Sequence, residues 1–328
     1  MDLQLGSRNE DVRRLEHKLQ TLGLYTGPAD GVFGGGVESA VKQFQKSHGL
    51  QPDGIVGAET RTALFPDAVM PASTLQNRPL AERCLALTGS FETSSGFPEC
   101  FSELAGDFDG EGISFGVLQW NLGQGTLQPL FLDMLEAYPQ TIGEVFQDRL
   151  ATFKRVLALP RQQQLSWALS IQSPDRRVVF EPWKGYFEAL GRTASFQFVQ
   201  MDYSKRLYAE AVALAQEYEL ITDRGMALMF DICVQNGSIG RDIGAQIRED
   251  YSKQSRYQSP LDEQVVRMQA IANRVAQSSR PEFVDDVRAR KLTIANGTGV
   301  VHNLDYDLAE QFSIDLLPFA RKRVRVGS

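Results

Sequence analysis

The sequence predicts a mainly α fold in two unequal parts: a small three-helix domain over residues 1–65, a linker over 66–79, and a larger α-rich domain over 80–328. Three observations predict it. Apolar residues recur at steps of three and four along much of the chain, the period of one helix face. Long alternating runs of β-branched residues, which would signal strands, are scarce. The stretch PDAVMPASTLQNRP, residues 66–79, holds three prolines and no apolar period, which marks a linker.

In chain order, Val12, Leu15, Leu19 and Leu22 form one stripe through EDVRRLEHKLQTLG, and Gly23 ends that helix. Val37, Ala40, Val41 and Phe44 define a second helix, and AETRTALF suggests a third around Ala63 and Leu64. Between them stands an internal echo, DGVFG at Asp30–Gly34 and DGIVG at Asp53–Gly57. In each, Asp can bond local backbone and Gly can take positive φ. From position 80, Leu80, Cys84, Leu87 and Phe91 open the larger domain at helical spacing. TIGEVFQDRLATFKRVLAL, QQLSWALSI, YAEAVALAQEYEL, RGMALMFDICVQNG and EQVVRMQAIANRVAQ continue it between Pro and Gly punctuation. Trp167, Trp183, Phe187, Phe196 and Phe198 are expected in the core, with one or two available as a sugar-stacking platform.

Composition narrows the function classes. The formal charge of −7 is spread along the chain without a basic footprint, which argues against nucleic acid as the main partner. The exception, RKRVRV with Arg321, Lys322, Arg323 and Arg325, is expected as a solvated tail. The opening MDLQLGSRNEDV has neither a basic nor an apolar leader region, and no run of about 18 apolar residues occurs. Cytoplasmic synthesis without a signal peptide, and no membrane span, are expected. Cys84, Cys100 and Cys233 are odd in number and lack zinc spacing, so small buried hydrophobes in a reducing compartment are expected rather than disulfides.

The stretch DFDGEGISFG, Asp107–Gly116, crowds three carboxylates and three glycines into ten residues. As a calcium loop it begins well, with Asp107, Asp109, Glu111 and Gly112 at positions one, three, five and six. It ends badly, because position twelve is Leu118 where a bidentate Glu is needed. A phosphate cradle would need a Lys and no surplus of carboxylates. Zinc would need nitrogen or thiolate ligands, and of the three histidines only His302 lies outside the N-terminal part. No metal or cofactor is expected. Carboxylate chemistry remains. Glycosidic cleavage takes a protonated acid beside the leaving oxygen and an ionised carboxylate on the other face of the ring. Glu92, at the end of the helix carrying Leu87 and Phe91, sits among apolar neighbours that favour the protonated form. Asp109 sits in a wetter, Gly-rich turn that suits a base.

Two resemblances attach to these residues. GSRNEDVRRLEHKL, GLYTGPADGVFG, AVKQFQKSHGL and DGIVGAETRTAL resemble the small three-helix peptidoglycan-binding domain of cell-wall enzymes, over residues 2 to about 65. LTGSFETSS with GDFDGEGISFG, and then RGMALMFDICVQNG, resemble glycoside hydrolase family 46 chitosanases of the lysozyme-like superfamily, over roughly 80–300. That resemblance implies a lysozyme-like larger domain with Glu92 as general acid and Asp109 as general base. It further implies that Ser114 holds the attacking water where the family has Thr, with inversion at the anomeric carbon. The sequence departs from the family at Glu111, where a basic residue is usual, so Asp107, Asp109 and Glu111 all stay open as the base. ETS and SFGVLQWN are also similar to lytic transglycosylases, in which Glu92 would act alone with Gln119 and Asn121 lining the groove. Asn236, in VQNGSIG, is a further sugar-ligand candidate beside its ordinary role as a helix cap.

The function expected is a muramidase-type hydrolase of the peptidoglycan glycan strand, acting as a monomer and tethered to the wall by its N-terminal module. It would reach the wall by release through a lysis partner such as a holin, or by injection through a secretion machine. The alternatives are a lytic transglycosylase on the same substrate, a chitosanase, and an inert wall-binding protein.

Overall fold

The computed structural model describes residues 3–7, 10–65, 75–108, 110–175, 178–253 and 257–318. The basic tail and residues 66–74 of the expected linker lie outside them. The fold is mostly helical, and among the described residues no helix is long and apolar enough to cross a membrane.

Helices α1 (Glu10–Thr21), α2 (Gly35–Ser47) and α3 (Ala58–Leu64) enclose their own core. Val12, Leu15, Leu19, Val37, Val41, Phe44 and Leu64 meet there with Phe33 and Val56, one from each echoed turn. Leu22 departs from the expected stripe: α1 ends at Thr21, and Leu22 is 43% exposed.

The echo extends to side-chain bonds. Asp30 Oδ1 accepts from the Val32 N–H at 2.9 Å and Asp53 Oδ1 from the Ile55 N–H at 2.8 Å, with Gly31 at φ +78° and Gly54 at φ +82°. A helical side chain then takes each Gly N–H: Glu16 Oε2 accepts from Gly31 at 2.8 Å and Gln45 Oε1 from Gly54 at 2.9 Å. The two diverge at the second atom. Gln45 Nε2 donates to Asp53 Oδ1 at 2.8 Å, whereas Glu16 Oε1 is buried without a hydrogen-bond partner among the described residues.

Burial, and then the Asp30 charge, push the Glu16 carboxyl above its usual range against the opposing Gly31 N–H and Arg13; Tyr25 is the other titratable group it faces. A carboxyl raised by folding contributes stability at low pH that is lost as pH rises through the folded value. The second turn behaves oppositely, since the Ile55 N–H and Gln45 hold Asp53 below its usual range. Glu16→Gln is therefore expected to rebuild the second turn's arrangement in the first. It should slow exchange of the Gly31 amide at neutral pH and flatten its dependence on pH. Exchange no slower than in the unaltered chain would contradict this account.

The larger part begins with α4 (Leu80–Thr93), which is buried on every side from Cys84 to Phe91, not along one stripe. Leu75, assigned to the linker by sequence, is buried against the same core. A 3₁₀ turn at Glu99–Ser102 leads into a small antiparallel sheet of β1 (Leu104–Ala105), β2 (Ser114–Phe115) and β3 (Trp120–Asn121), in that order. Then come α5 (Gln128–Ala137), α6 (Pro139–Phe146), α7 (Leu150–Leu157), α8 (Arg161–Ser170) and α9 (Trp183–Gly191). The single helix suggested by TIGEVFQDRLATFKRVLAL is broken between α6 and α7, where Gln147 takes φ +46°. After α10 (Ala194–Glu217) follow α11 (Asp223–Gln235), α12 (Arg241–Lys253), α13 (Pro260–Gln277) and α14 (Val284–Asn296). The hairpin β4 (Thr298–Val301) and β5 (Leu304–Asp307) and the short α15 (Leu308–Phe312) complete it.

This part has two cores. One gathers α4, α11, α13 and α14. The other is aromatic, with Phe115, Phe131, Phe146, Phe153, Phe187 and Phe196 packed among the sheet, α5, α6, α7, α9 and the start of α10. Helix α10 joins them, because Phe196 and Val199 enter the aromatic core and Ala211 and Ala215 the other. At about 1.5 Å per residue its 24 residues span about 36 Å. Phe198 departs from expectation: it is exposed on α10, with Lys205 Nζ 5.8 Å from its ring centre. The three cysteines are free and buried, and burial pushes all three thiols up, Cys233 to about 11.

Candidate active site

Glu92 is in the last turn of α4, which stops as Ser94 enters the left-handed region at φ +56°. Its Oε1 accepts from Arg290 Nη2 at 2.7 Å, and its side chain is 23% exposed, so it lies at the edge of the interior with one face open. Arg290, on α14, is buried and lies over the Phe91 ring at 5.1 Å. It also meets Asp231 of α11, through Nη2 at 2.6 Å and Nε at 2.8 Å. Lys291 Nζ donates to Asp231 Oδ2 and to Gln235 Oε1, each at 2.6 Å, and Thr88 Oγ1 donates to Asp231 Oδ1 at 3.2 Å.

Two carboxyl groups and two basic side chains thus alternate in a chain that runs from the interior to Glu92. Burial opposes the Asp231 charge, but Arg290 and Lys291 overcome it and hold the carboxyl below its usual range. Burial pushes Lys291 down to about 8 against the pull of Asp231. Burial also opposes the charge of Arg290, yet Asp231 and Glu92 together hold it more firmly protonated than usual. The setting of Glu92 therefore differs from the purely apolar one expected: a guanidinium faces its carboxyl. The Asp in the apolar run RGMALMFDICVQNG and the RARK of 288–291 are the signals that point to this network. A charge inside an all-buried helix needs a partner.

The second wall is the sheet and the acidic loop before β2. Asp107 is 1% exposed; its N–H donates to Gln172 Oε1 at 2.6 Å, and its Oδ1 accepts from the Gly110 N–H at 2.6 Å. That second bond turns the Asp107 carboxyl inward, onto the backbone of its own loop. Asp109 lies outside the described residues. Glu111 Oε2 pairs with Arg161 Nη2 of α8 at 2.7 Å. Gly110 and Gly112 hold φ +90° and +86°, where a side chain is strained. A Cβ at Gly112 would also sit 3.0 Å from Leu165 Cδ2. Gly112→Ala is expected to lower stability by about 1–3 kcal/mol. All three tryptophans, Trp120, Trp167 and Trp183, lie in the larger part, so their fluorescence in urea measures it; a loss under about 0.5 kcal/mol would show the turn to be relaxed.

The remaining candidates sit as follows. Ser114 is in β2, nearly buried, and its Oγ accepts from Asn121 Nδ2 at 3.0 Å. Asn121 Oδ1 in turn accepts from the Gln124 N–H at 3.0 Å, so both ends of that amide serve the sheet and the turn after it. Gln119, at φ +48°, donates from Nε2 to Gly116 O at 2.9 Å and Glu103 O at 3.2 Å, which locks the turn between β2 and β3. Asn236 caps α11, its N–H donating to Ile232 O at 2.8 Å, while its Oδ1 is buried with no partner among the described residues. His302 turns the β4–β5 hairpin and pairs with Asp286 of α14 at 2.7 Å. Among the described residues no group of three or more His, Cys, Asp or Glu is arranged to hold a metal ion.

Two contacts bring the end of α4 to the sheet. Ser95 Oγ donates to Glu103 Oε1 at 2.6 Å, and Glu103 directly precedes β1. Within α4, Gly89 lets the strand connection approach so closely that a Cβ there would run into Val117. The helix carrying Glu92 and the sheet flanking the acidic loop are therefore in direct contact.

Comparison with known proteins assigns the first part. Residues 8–64 match the peptidoglycan binding domain family. A spore cortex-lytic enzyme of Bacillus cereus is 45% identical over 62 residues, 19% of this chain and 24% of that protein. An N-acetylmuramoyl-L-alanine amidase of Mycobacterium tuberculosis is 45% identical over 56 residues, 17% of this chain and 14% of that protein. The match thus spans a quarter or less of the length of these relatives. For the larger part, a chitosanase complex structure is similar at 17% identity and a TM-score of 0.44, over 71% of this chain and 99% of that one.

Proposed function

We propose that the chain is a bacterial cell-wall lytic enzyme that hydrolyses the glycan strand of peptidoglycan. Residues 1–65 form the wall-binding module, 66–79 the linker and 80–328 the catalytic domain. The observation that carries this reading is Glu92: a half-open carboxyl at the end of a buried helix, gripped by a buried Arg290 and set beside the sheet that bears the acidic loop. Tethering by the first module raises the local concentration of strands at the second.

In this mechanism Glu92 gives its proton to the leaving glycosidic oxygen, and Arg290 stabilises the carboxylate that results. Asp109 takes a proton from water on the opposite face of the sugar, and the Ser114 hydroxyl steadies that water. Two observations support Asp109 among the three loop carboxylates: Asp107 is turned inward onto the Gly110 N–H, and Glu111 is held by Arg161. Inversion goes with two such carboxyls about 6.5–9.5 Å apart, enough to admit a water. Gln119 and Asn121 contribute by holding the turn and the sheet, and Asn236 by capping α11.

Digestion of purified sacculi tests the reading. New reducing ends on the glycan are expected. Anhydro-muramyl ends would replace it with a transglycosylase, release of sugar from chitosan but not from sacculi with a chitosanase, and no product from any glycan with an inert wall-binding protein.

A further inference from the structure

The acidic loop presents one feature that base chemistry does not use. Phe108 is 74% exposed, more than any other large apolar side chain among the described residues. Its position is fixed from behind: Asp107 is buried and its Oδ1 accepts from the Gly110 N–H at 2.6 Å, and Phe108 directly precedes the proposed base in sequence. The base of the turn is fastened by Gln172, whose Oε1 takes the Asp107 N–H at 2.6 Å. Gln172 pairs with Val179 in a narrow hairpin whose Val178 and Phe180 are also exposed, on either side of the buried Val179.

Two of the loop's three carboxylates are already engaged. Asp107 is buried and bonded inward, and Glu111 is paired with Arg161. Beyond its base, the loop offers an incoming sugar an aromatic ring in place of a spare carboxylate. A ring of this kind suits the C–H face and acetamido methyl of an N-acetylated sugar. A polymer of glucosamine carries an ammonium on each residue and would be better served by an unpaired acid.

Resting on the glycan-hydrolase reading, we propose that Phe108 is a specificity-determining residue that packs on the sugar at the scissile bond and selects N-acetylated glycan over its de-N-acetylated counterpart.

The test uses the full chain, with soluble N-acetylated glycan strands and the same strands after chemical de-N-acetylation. Phe108→Ala is expected to raise KM on the acetylated strands about 10-fold, equivalent to about 1.4 kcal/mol. The change in kcat should be small and the effect on the de-N-acetylated strands much smaller, and Phe108→Trp should restore the acetylated KM. An equal fall in kcat on both substrates would mean that Phe108 only holds the turn, and unchanged kinetics would mean that it is idle; either overturns the proposal. Binding separates this outcome from failure of the hydrolase reading. In the Glu92→Gln background, calorimetric affinity for an N-acetylated tetrasaccharide should drop about 10-fold on adding Phe108→Ala. A drop there with no cleavage by the unaltered chain would retain the ring's role and discard hydrolysis, whereas cleavage without a drop would do the reverse.

Discussion

Glu92→Gln is expected to lower the rate of sacculus digestion about 10²–10⁴-fold, the usual contribution of a positioned general acid, while wall binding through residues 8–64 persists. The isosteric amide keeps an oxygen for Arg290 Nη2, now 2.7 Å from Glu92 Oε1, so the buried network survives. What it loses is the proton that the leaving oxygen requires. The check is the initial rate of reducing-end release beside a sedimentation assay for binding to the same sacculi. A rate within about tenfold of the unaltered chain would remove Glu92 from the chemistry, since a positioned general acid typically contributes about 10²–10⁴-fold. Loss of binding together with rate would instead point to misfolding.

The second large effect is expected at Asp231, which touches no substrate in the proposed mechanism. Asp231→Ala leaves Arg290 and Lys291 buried without their shared anion, and breaking such a pair costs about 3–5 kcal/mol. Tryptophan-detected urea unfolding, which follows the larger part alone, measures it. Lys291→Met should cost less, because Asp231 keeps Arg290 and the cation removed is itself poorly accommodated. The double variant should cost less than the sum of the two, as expected for contacting residues. A loss below about 1 kcal/mol for Asp231→Ala would show that water reaches and solvates the network.

The pH behaviour carries its own sign. Burial depresses Lys291 to about 8 in the folded chain, so between there and the unfolded value the unfolded chain binds more protons. Stability from this group therefore rises with pH across that window and is penalised below it. Lys291→Met should remove the rise. Asp231, held below its usual range, contributes stability above its unfolded value that is lost as pH falls through the folded one.

Much of this molecule was legible along the chain. The stripe Val12, Leu15, Leu19 is buried in α1, and both Asp-Gly turns form with the positive φ that their glycines permit. Glu92 falls at a helix end, as the apolar spacing of Leu87 and Phe91 required. Each of these rests on neighbours a few residues away, where period, turn chemistry and steric limits on φ act without help from the rest of the chain. Tertiary structure alone decided which charges would face one another. Arg290 meets Glu92 across 198 positions and Arg161 meets Glu111 across 50, while the neutral Gln172 accepts the Asp107 backbone N–H across 65. No local pattern carries that information, because a charge is worth little in water and a great deal once desolvated, and only packing determines which are desolvated. The sequence by itself determined the helices, the turns and the residue types available for acid chemistry. The fold decided that two of the loop's acids are held in place by other side chains, and that the acid on α4 is reached by a buried arginine.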